Sequence, residues 1–550
     1  MSFEPKRRRT PVTIGVLGLL FICSCGGLLS LFLYIYLQQD EEEDPGNHQI
    51  VYGLTLDASG YDPQINISSE LGIPFYSVYD TLVYRHPQNM EFTGGLAESW
   101  EMSGDGLVWT FYLKHGVTFH DGTPFNAQAV AYNLDRIANP DTGSGKALSL
   151  LGSYIGYEVV DDYTIRILLS EAYAPLLDGL SQVYLGIASP TALAAESKGT
   201  YQYHQVGTGP YRLVEFVPGD HITLRANEDY TWGPVFYANR NENSVDTVTF
   251  RFYTDPATRG IALESGDVQI IGELLPTDAE LLTGNNTLDI LQTSIPGTPQ
   301  QFFFNTTQEP TDRLEVRQAL LYATNRTAIA DAVFQSLSPV AYGPLAAVTP
   351  LYDENVATID RFNYPYNPQF ARALLENVGY VDENGDGMLE MNGVPLHLRM
   401  VFAPWNQMAD VAQLIQSQWR DVGIDLELVQ VPDFPTLMDE ASEGDYNLIA
   451  LYDFGVDASI LNQYYLSDGA HNWSHFSDPD LDGWLQEATR RSTAEERAQY
   501  YAMIQEKIME QAVVLPIRDY VSLHGSAANI DGLIYAAQGW WPLLRNLQVN

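Results

Sequence analysis

The stretch from Gly94 to Ile137, GGLAESWEMSGDGLVWTFYLKHGVTFHDGTPFNAQAVAYNLDRI, constrains the fold more than any other part of the chain, because its punctuation and its periodicity agree. Val108, Thr110 and Tyr112 alternate with Trp109, Phe111 and Leu113, which is the period of a strand, and Gly104-Asp105-Gly106 before them is turn chemistry. Bulk on both faces predicts a strand covered on both sides. After a second turn at Asp121-Gly122-Thr123-Pro124, Asn126 is placed to cap a helix. Its Ala127, Val130, Ala131, Leu134 and Ile137 recur at helical spacing.

The chain's 550 residues allow several domains with large interiors. Its 70 acidic residues outnumber its 28 basic ones, for a formal net charge of −42. Four of the basic residues, Lys6 to Arg9, sit together near the start, so the rest is strongly anionic. Such a surface repels phosphate backbones and argues against a nucleic-acid partner. The only cysteines are Cys23 and Cys25. Both lie in an apolar segment, so the body is expected to hold neither a disulfide nor a cysteine metal site.

Val12 to Leu37 is a run of 26 residues without a charge. As a helix it would span roughly 39 Å, enough to cross a bilayer. With Lys6 to Arg9 before it and Asp40 to Asp44 after it, the charge rule keeps the first residues cytoplasmic and sends the body outside. One reading is an uncleaved anchor, because a cleaved signal has a shorter apolar core. The other is a lipoprotein signal, in which Ile22-Cys23-Ser24-Cys25 is the processing motif and Cys25 carries the lipid. Gln39 to Asn47 is an acidic spacer that holds the body off the membrane.

The Gly94–Ile137 stretch resembles, almost position by position, the signature of the family 5 extracellular solute-binding proteins of bacterial ABC transporters, the oligopeptide and dipeptide binders. Gly207-Thr208-Gly209-Pro210-Tyr211 resembles the family's second landmark. Asn305-Thr306-Thr307 with Val316-Arg317-Gln318-Ala319-Leu320 resembles its third. NPQFARALLENVGY from Asn367, NGDGMLEMNGVPL from Asn384 and the run from Tyr465 to Pro516 extend the match over nearly everything after Val51. The resemblance implies an α/β, two-lobed periplasmic-binding-protein-like fold with an extra subdomain in the first lobe, preceded by a transmembrane or lipoprotein-signal helix.

Carried onto this chain, the cytoplasmic segment is 1–10, the anchor 11–37 and the spacer 38–47. The first lobe is 48–78, 204–298 and 518–550, its extra subdomain 79–203 and the second lobe 299–517. Crossings near Thr298 and Arg518 would form the hinge. Local pattern adds helices to the second lobe. Val411, Leu414, Ile415 and Trp419 make one stripe; Leu481, Trp484, Leu485 and Ala488 make another, begun by Asp478-Pro479. Thr493 with Glu496 is a capping box. Leu396 to Phe402 and Asn447 to Leu451 read as strands between such helices, which predicts an α/β sheet.

No GxSxG, HExxH or complete phosphate-binding loop is present, so the chain is not expected to be an enzyme or to carry a cofactor. His471 and His475 have the spacing of a helical metal clamp, but Pro479 and Asn472-Trp473-Ser474 read as a loop. Asp382 to Gly387 imitates the start of a calcium loop, yet Gly393 stands where the twelfth-position glutamate belongs, and a glycine-rich hairpin is expected. The segment Leu451 to Leu461, which contains Asp453, resembles the place where peptide binders set an acid against the ligand's amino terminus. Asp457 is the nearest match, although the usual preceding tryptophan is missing and Ala458 replaces the usual proline. The bland alternative is a solvated loop acid. Tyr61, Asn305, Tyr342, Trp405 and Asn406 fall at cleft positions by the same resemblance, with core residence as their alternative.

These readings converge on a monomeric, membrane-tethered protein on the outer face. It captures a solute, a short peptide first of all, by hinge closure and delivers it to an ABC permease and ATPase. An oligosaccharide or chelated metal is the alternative ligand, and a sensory input module the alternative class.

Overall fold

The stretch from Gly94 to Ile137 folds around its caps. Asn126 Oδ1 accepts from Ala129 N at 3.0 Å and starts the helix Ala127–Ala138, which buries Ala127, Val130, Ala131, Leu134 and Ile137. The strands Ala97–Met102 and Val108–Leu113 pair antiparallel and join Thr164–Leu169 and Tyr154–Asp161 in a four-stranded sheet. Trp109, Phe111 and Leu113 are buried, but Tyr112 on the opposite face is 37% exposed. The expectation of cover on both faces is therefore corrected. An antiparallel sheet can leave one face to water, and its large side chains there are half-shielded by their neighbours.

The computed structural model describes residues 48–58 and 60–550. The anchor, the Cys25 lipidation motif and the acidic spacer lie outside the described residues. Among the described residues no helix is long and apolar enough to cross a membrane.

Two larger sheets complete the mixed α/β framework. The first has seven strands in the order Leu288–Ser294, Val521–Ala527, Ile270–Ile271, Gln49–Leu54, Thr247–Phe252, His221–Ala226 and Tyr211–Val217. The second has five, in the order Asp425–Gln430, His397–Phe402, Leu448–Ala450, Gln300–Phe304 and Val514–Arg518. The chain passes from the first to the second between Ser294 and Gln300, and returns between Arg518 and Val521. Each large sheet has its own apolar core. One gathers Tyr52, Phe75, Phe250 and Trp541 with the four-stranded sheet, and the other gathers Phe302, Met400, Trp419 and Leu515. Gly207 and Gly209 explain the second landmark, for a Cβ at either would stand 2.0 Å from Val78 O or 2.4 Å from Ser77 O.

The helices around the second sheet begin at local caps. Asp478 Oδ1 accepts from Asp480 N and Leu481 N, both at 3.0 Å, ahead of Pro479–Arg490, and Thr493 Oγ1 accepts from Glu496 N at 3.2 Å ahead of Ala494–Glu510. Met408–Arg420 buries Val411, Ile415 and Trp419. His471 and His475 sit in the loop before Pro479, with His475 Nε2 3.3 Å from the Tyr446 hydroxyl. At Asp382 the carboxylate accepts from Gly385 N at 2.7 Å and Gly387 N at 3.1 Å, just ahead of the two-stranded hairpin of Glu390–Met391 and Val394–Pro395.

Candidate functional site

Strand ends of the second sheet place the loops that line a cleft against the first. The loop after His397–Phe402 carries Trp405, Asn406 and Gln407, and the last two adopt left-handed φ of 49° and 58°. Backbone held in that region costs free energy and concentrates at ligand sites. The loop after Leu448–Ala450 carries Tyr452, Asp453 and Phe454 and is fastened to the outward crossing. Thr298 N donates to Asp453 O at 2.8 Å, Asp453 N donates to Thr298 Oγ1 at 2.7 Å and Gly455 N donates to Pro296 O at 3.1 Å. Gly297 makes the approach possible, with φ 132° and only 2.3 Å between a built Cβ and Asp453 O.

Cavities of about 530, 440, 420 and 210 Å³ share lining residues and form one cleft. Trp405 borders the first three, and Asp453 borders the first and the last. In the largest, Asp453 faces Phe434, Tyr464 and His471 from its own side and Lys146 from the helix Gly145–Leu150. Asp453 Oδ2 accepts from Gln463 Nε2 at 2.8 Å and Tyr464 Oη at 3.0 Å, while Oδ1 accepts from Phe454 N at 2.8 Å. No lysine, arginine or histidine nitrogen pairs with it among the described residues. Burial holds His471 below its ordinary value, so its ring is neutral at physiological pH.

A second group of polar residues joins the two sheets near the returning crossing. The Tyr520 hydroxyl donates to Glu273 and lies 3.1 Å from Asn406 Oδ1; Asn406 Nδ2 in turn donates to Tyr452 Oη. Burial, reinforced by the charge of Glu273, pushes the Glu70 carboxyl up to about 7.

Asp453, Trp405 and Asn406 thus come together at the cleft, and the other sequence candidates are placed differently. Asp457 borders the smallest cavity with its carboxylate engaged, for Arg497 donates to it from both terminal nitrogens at 2.8 and 2.6 Å. Burial alone would raise this carboxyl, but the Arg497 guanidinium overrides it and holds it well below the usual range. Tyr61, Asn305 and Tyr342 line none of these four cavities. Tyr61 packs edge-on to Phe216 at 5.0 Å, with its hydroxyl on Asp57. Asn305 caps its own turn and donates to Gly444 O at 3.1 Å, and the Tyr342 ring carries the Arg326 guanidinium at 4.9 Å. Glu70, Lys146, Glu273, Gln463 and Trp540 line the cleft without having been singled out. They come from segments with no shared local signature, and only the tertiary fold joins them.

The sequence profile of the bacterial extracellular solute-binding proteins, family 5 Middle, matches residues 91–474. The chain belongs to this family. As a family 5 solute-binding protein it is the substrate-capturing component of an ABC importer. It is 27% identical over 486 residues to di/tripeptide-binding protein 1 of Pseudomonas aeruginosa, covering 84% of this chain and 86% of that one. It is 28% identical over 530 residues to heme-binding protein A of Haemophilus influenzae, covering 91% and 92%. Among solved structures, NikA from Brucella suis in complex with Fe(III)-EDTA superposes with a TM-score of 0.81 at 23% identity, over 92% of this chain and all of that one. At that identity the likeness concerns the fold of this family 5 protein and not its ligand.

Proposed function

We propose that this family 5 protein captures a short peptide between two lobes built on the two large sheets, and that Asp453 receives the peptide's ammonium group. The observation that carries the reading is the setting of Asp453. Asp453 lines the cavity of about 530 Å³, its carboxylate is oriented by Gln463 and Tyr464, and among the described residues it has no cationic partner, whereas Asp457 is paired with Arg497. A carboxylate shielded from water gains a strong charge-assisted hydrogen bond to an ammonium group. Aromatic walls from Trp405, Phe434 and Tyr464 suit varied side chains, and the peptide backbone can take strand-like hydrogen bonds. The similarity to a di/tripeptide-binding relative supports the same class. Closure would turn the lobes about the paired crossings, because contacts from both sides exist only when they meet. The protein binds and releases without chemistry, works as a monomer, and is tethered at the outer face by its N-terminal segment.

Calorimetry with tripeptides tests this. Asp453→Asn should weaken binding by on the order of 2 kcal/mol, and acetylating the peptide's amino terminus should weaken binding to the unsubstituted protein by a similar amount. Equal affinities in all cases would remove Asp453 from the site. Binding confined to sugars or metal chelates would replace the peptide.

A further inference from the structure

The cavity of about 420 Å³ has a composition that the Asp453 site does not explain. Two carboxylates, Glu70 and Glu273, line it together with Tyr452, Phe454, Tyr520 and Trp540. Glu273 is fixed in place, since Ser522 Oγ donates to its Oε1 at 2.7 Å and the Tyr520 hydroxyl donates to its Oε2. Its backbone holds a left-handed φ of 52°, an uncommon conformation for a non-glycine residue. Glu70 has one weak donor, Thr55 Oγ1 at 3.4 Å. Neither carboxylate has a lysine, arginine or histidine nitrogen within 4.0 Å among the described residues.

Among the described residues the one cation lining this cavity, Arg259, is turned to the backbone. It donates to the carbonyls of Tyr253 at 3.0 Å, Glu273 at 2.8 Å and Thr254 at 3.2 Å. The wall is aromatic and continuous, for Tyr452 stacks on Tyr520 at 5.8 Å and Phe454 lies 5.1 Å from Tyr520 and 4.9 Å from Trp540. Aromatic faces attract cations, and two carboxylates with Arg259 near them but no direct ion pair do so more strongly in a partly dry chamber.

We propose that this chamber is a subsite for a second positive charge on the ligand, an alkylammonium or guanidinium group, so that the preferred solute is dicationic or carries a basic side chain beyond the group at Asp453. This rests on the reading of the cleft as the ligand site. Burial and the charge of Glu273 push Glu70 up to about 7, so that its carboxyl carries a proton on part of the molecules at neutral pH. An arriving cation expels it, with Glu273 and Arg259 the charged groups near Glu70 and Thr55, Tyr52, Tyr61 and Tyr184 the hydroxyls around it.

The test uses the full-length chain in detergent with Ala-Lys-Ala, Ala-norleucine-Ala and cadaverine. Calorimetry should show the lysine peptide binding about ten-fold or more tighter than its norleucine isostere. Proton release on binding should show as a dependence on the buffer's ionisation enthalpy at pH 7. In Glu70→Gln the lysine-to-norleucine ratio should fall toward one and the proton release should vanish. Circular dichroism and the unfolding midpoint establish that this isosteric variant is folded, and Glu273→Gln supplies a second reading of the ratio. If both peptides bind alike, or Glu70→Gln leaves the ratio unchanged, the subsite is overturned while the peptide reading stands. If cadaverine binds, depends on Glu70, and no peptide binds, the subsite stands and the peptide reading falls. If neither cadaverine nor the lysine peptide binds, the subsite is overturned.

Discussion

Asp453 and Asp457 lie on one short loop, yet their surroundings give them different work. Asp457 is 8% exposed and clamped by Arg497, so its charge serves the protein's interior. Removing one partner of a buried pair leaves the other charge uncompensated. Asp457→Asn should therefore lower unfolding free energy by about 3–5 kcal/mol in a urea titration while changing tripeptide affinity little. Intact stability with lost affinity would return Asp457 to the ligand. The acid-bearing loop was legible in the sequence as a candidate ligand segment, through its resemblance to peptide binders, and it borders two of the four cavities. The choice between its acids was not, because Arg497 lies 40 residues further on. Nothing local in Gly272-Glu273-Leu274 or Ser68-Ser69-Glu70 announces that these carboxylates meet either.

Elements that carry their own start signals were the most legible. Asn126, Asp478 and Thr493 each cap the helix expected of them, since capping is decided within four residues. Face assignment for Val108–Leu113 failed because alternation of bulk on both sides of a strand does not tell which side tertiary neighbours cover. The strand Val521–Ala527 holds a feature invisible to pattern. His524 is buried there, stacked on Tyr535 at 4.0 Å, with neither ring nitrogen hydrogen-bonded among the described residues. Burial drives it down to about 3, whereas an unfolded histidine titrates near 6.5. Below about pH 6.5 the unfolded chain binds the extra proton, so stability falls as pH drops from there toward 3. His524→Phe keeps the stack and should flatten this acid limb. Thermal unfolding between pH 7 and pH 5 checks it, and parallel curves for the two proteins would refute it.

For the whole molecule, the sides of the cleft also touch directly. Ala174 N, just beyond the four-stranded sheet, donates to Thr489 O at 2.7 Å, and Arg490 pairs with Glu171 at 2.7 Å. Thr489 and Arg490 end a helix on the second-sheet side. The ion pair is half-exposed, so its worth is about 0.2–1 kcal/mol. Arg490→Glu places like charges there and should favour separation of the two sides. Tripeptide affinity should fall by up to about five-fold without any change at the cleft, and the radius of gyration without ligand should rise in X-ray scattering. An unchanged radius would leave the contact without influence on closure. The place of Gly297 has a mechanical consequence at this scale. The crossing segment is riveted to the Asp453 loop through Thr298 and Gly455, so under the closure proposed above the acid proposed for the ligand would sit beside the fulcrum and not at the end of the lever. A molecule seated there would work with a short arm, and the rim, on the long arm, would travel furthest for the smallest displacement at the carboxylate.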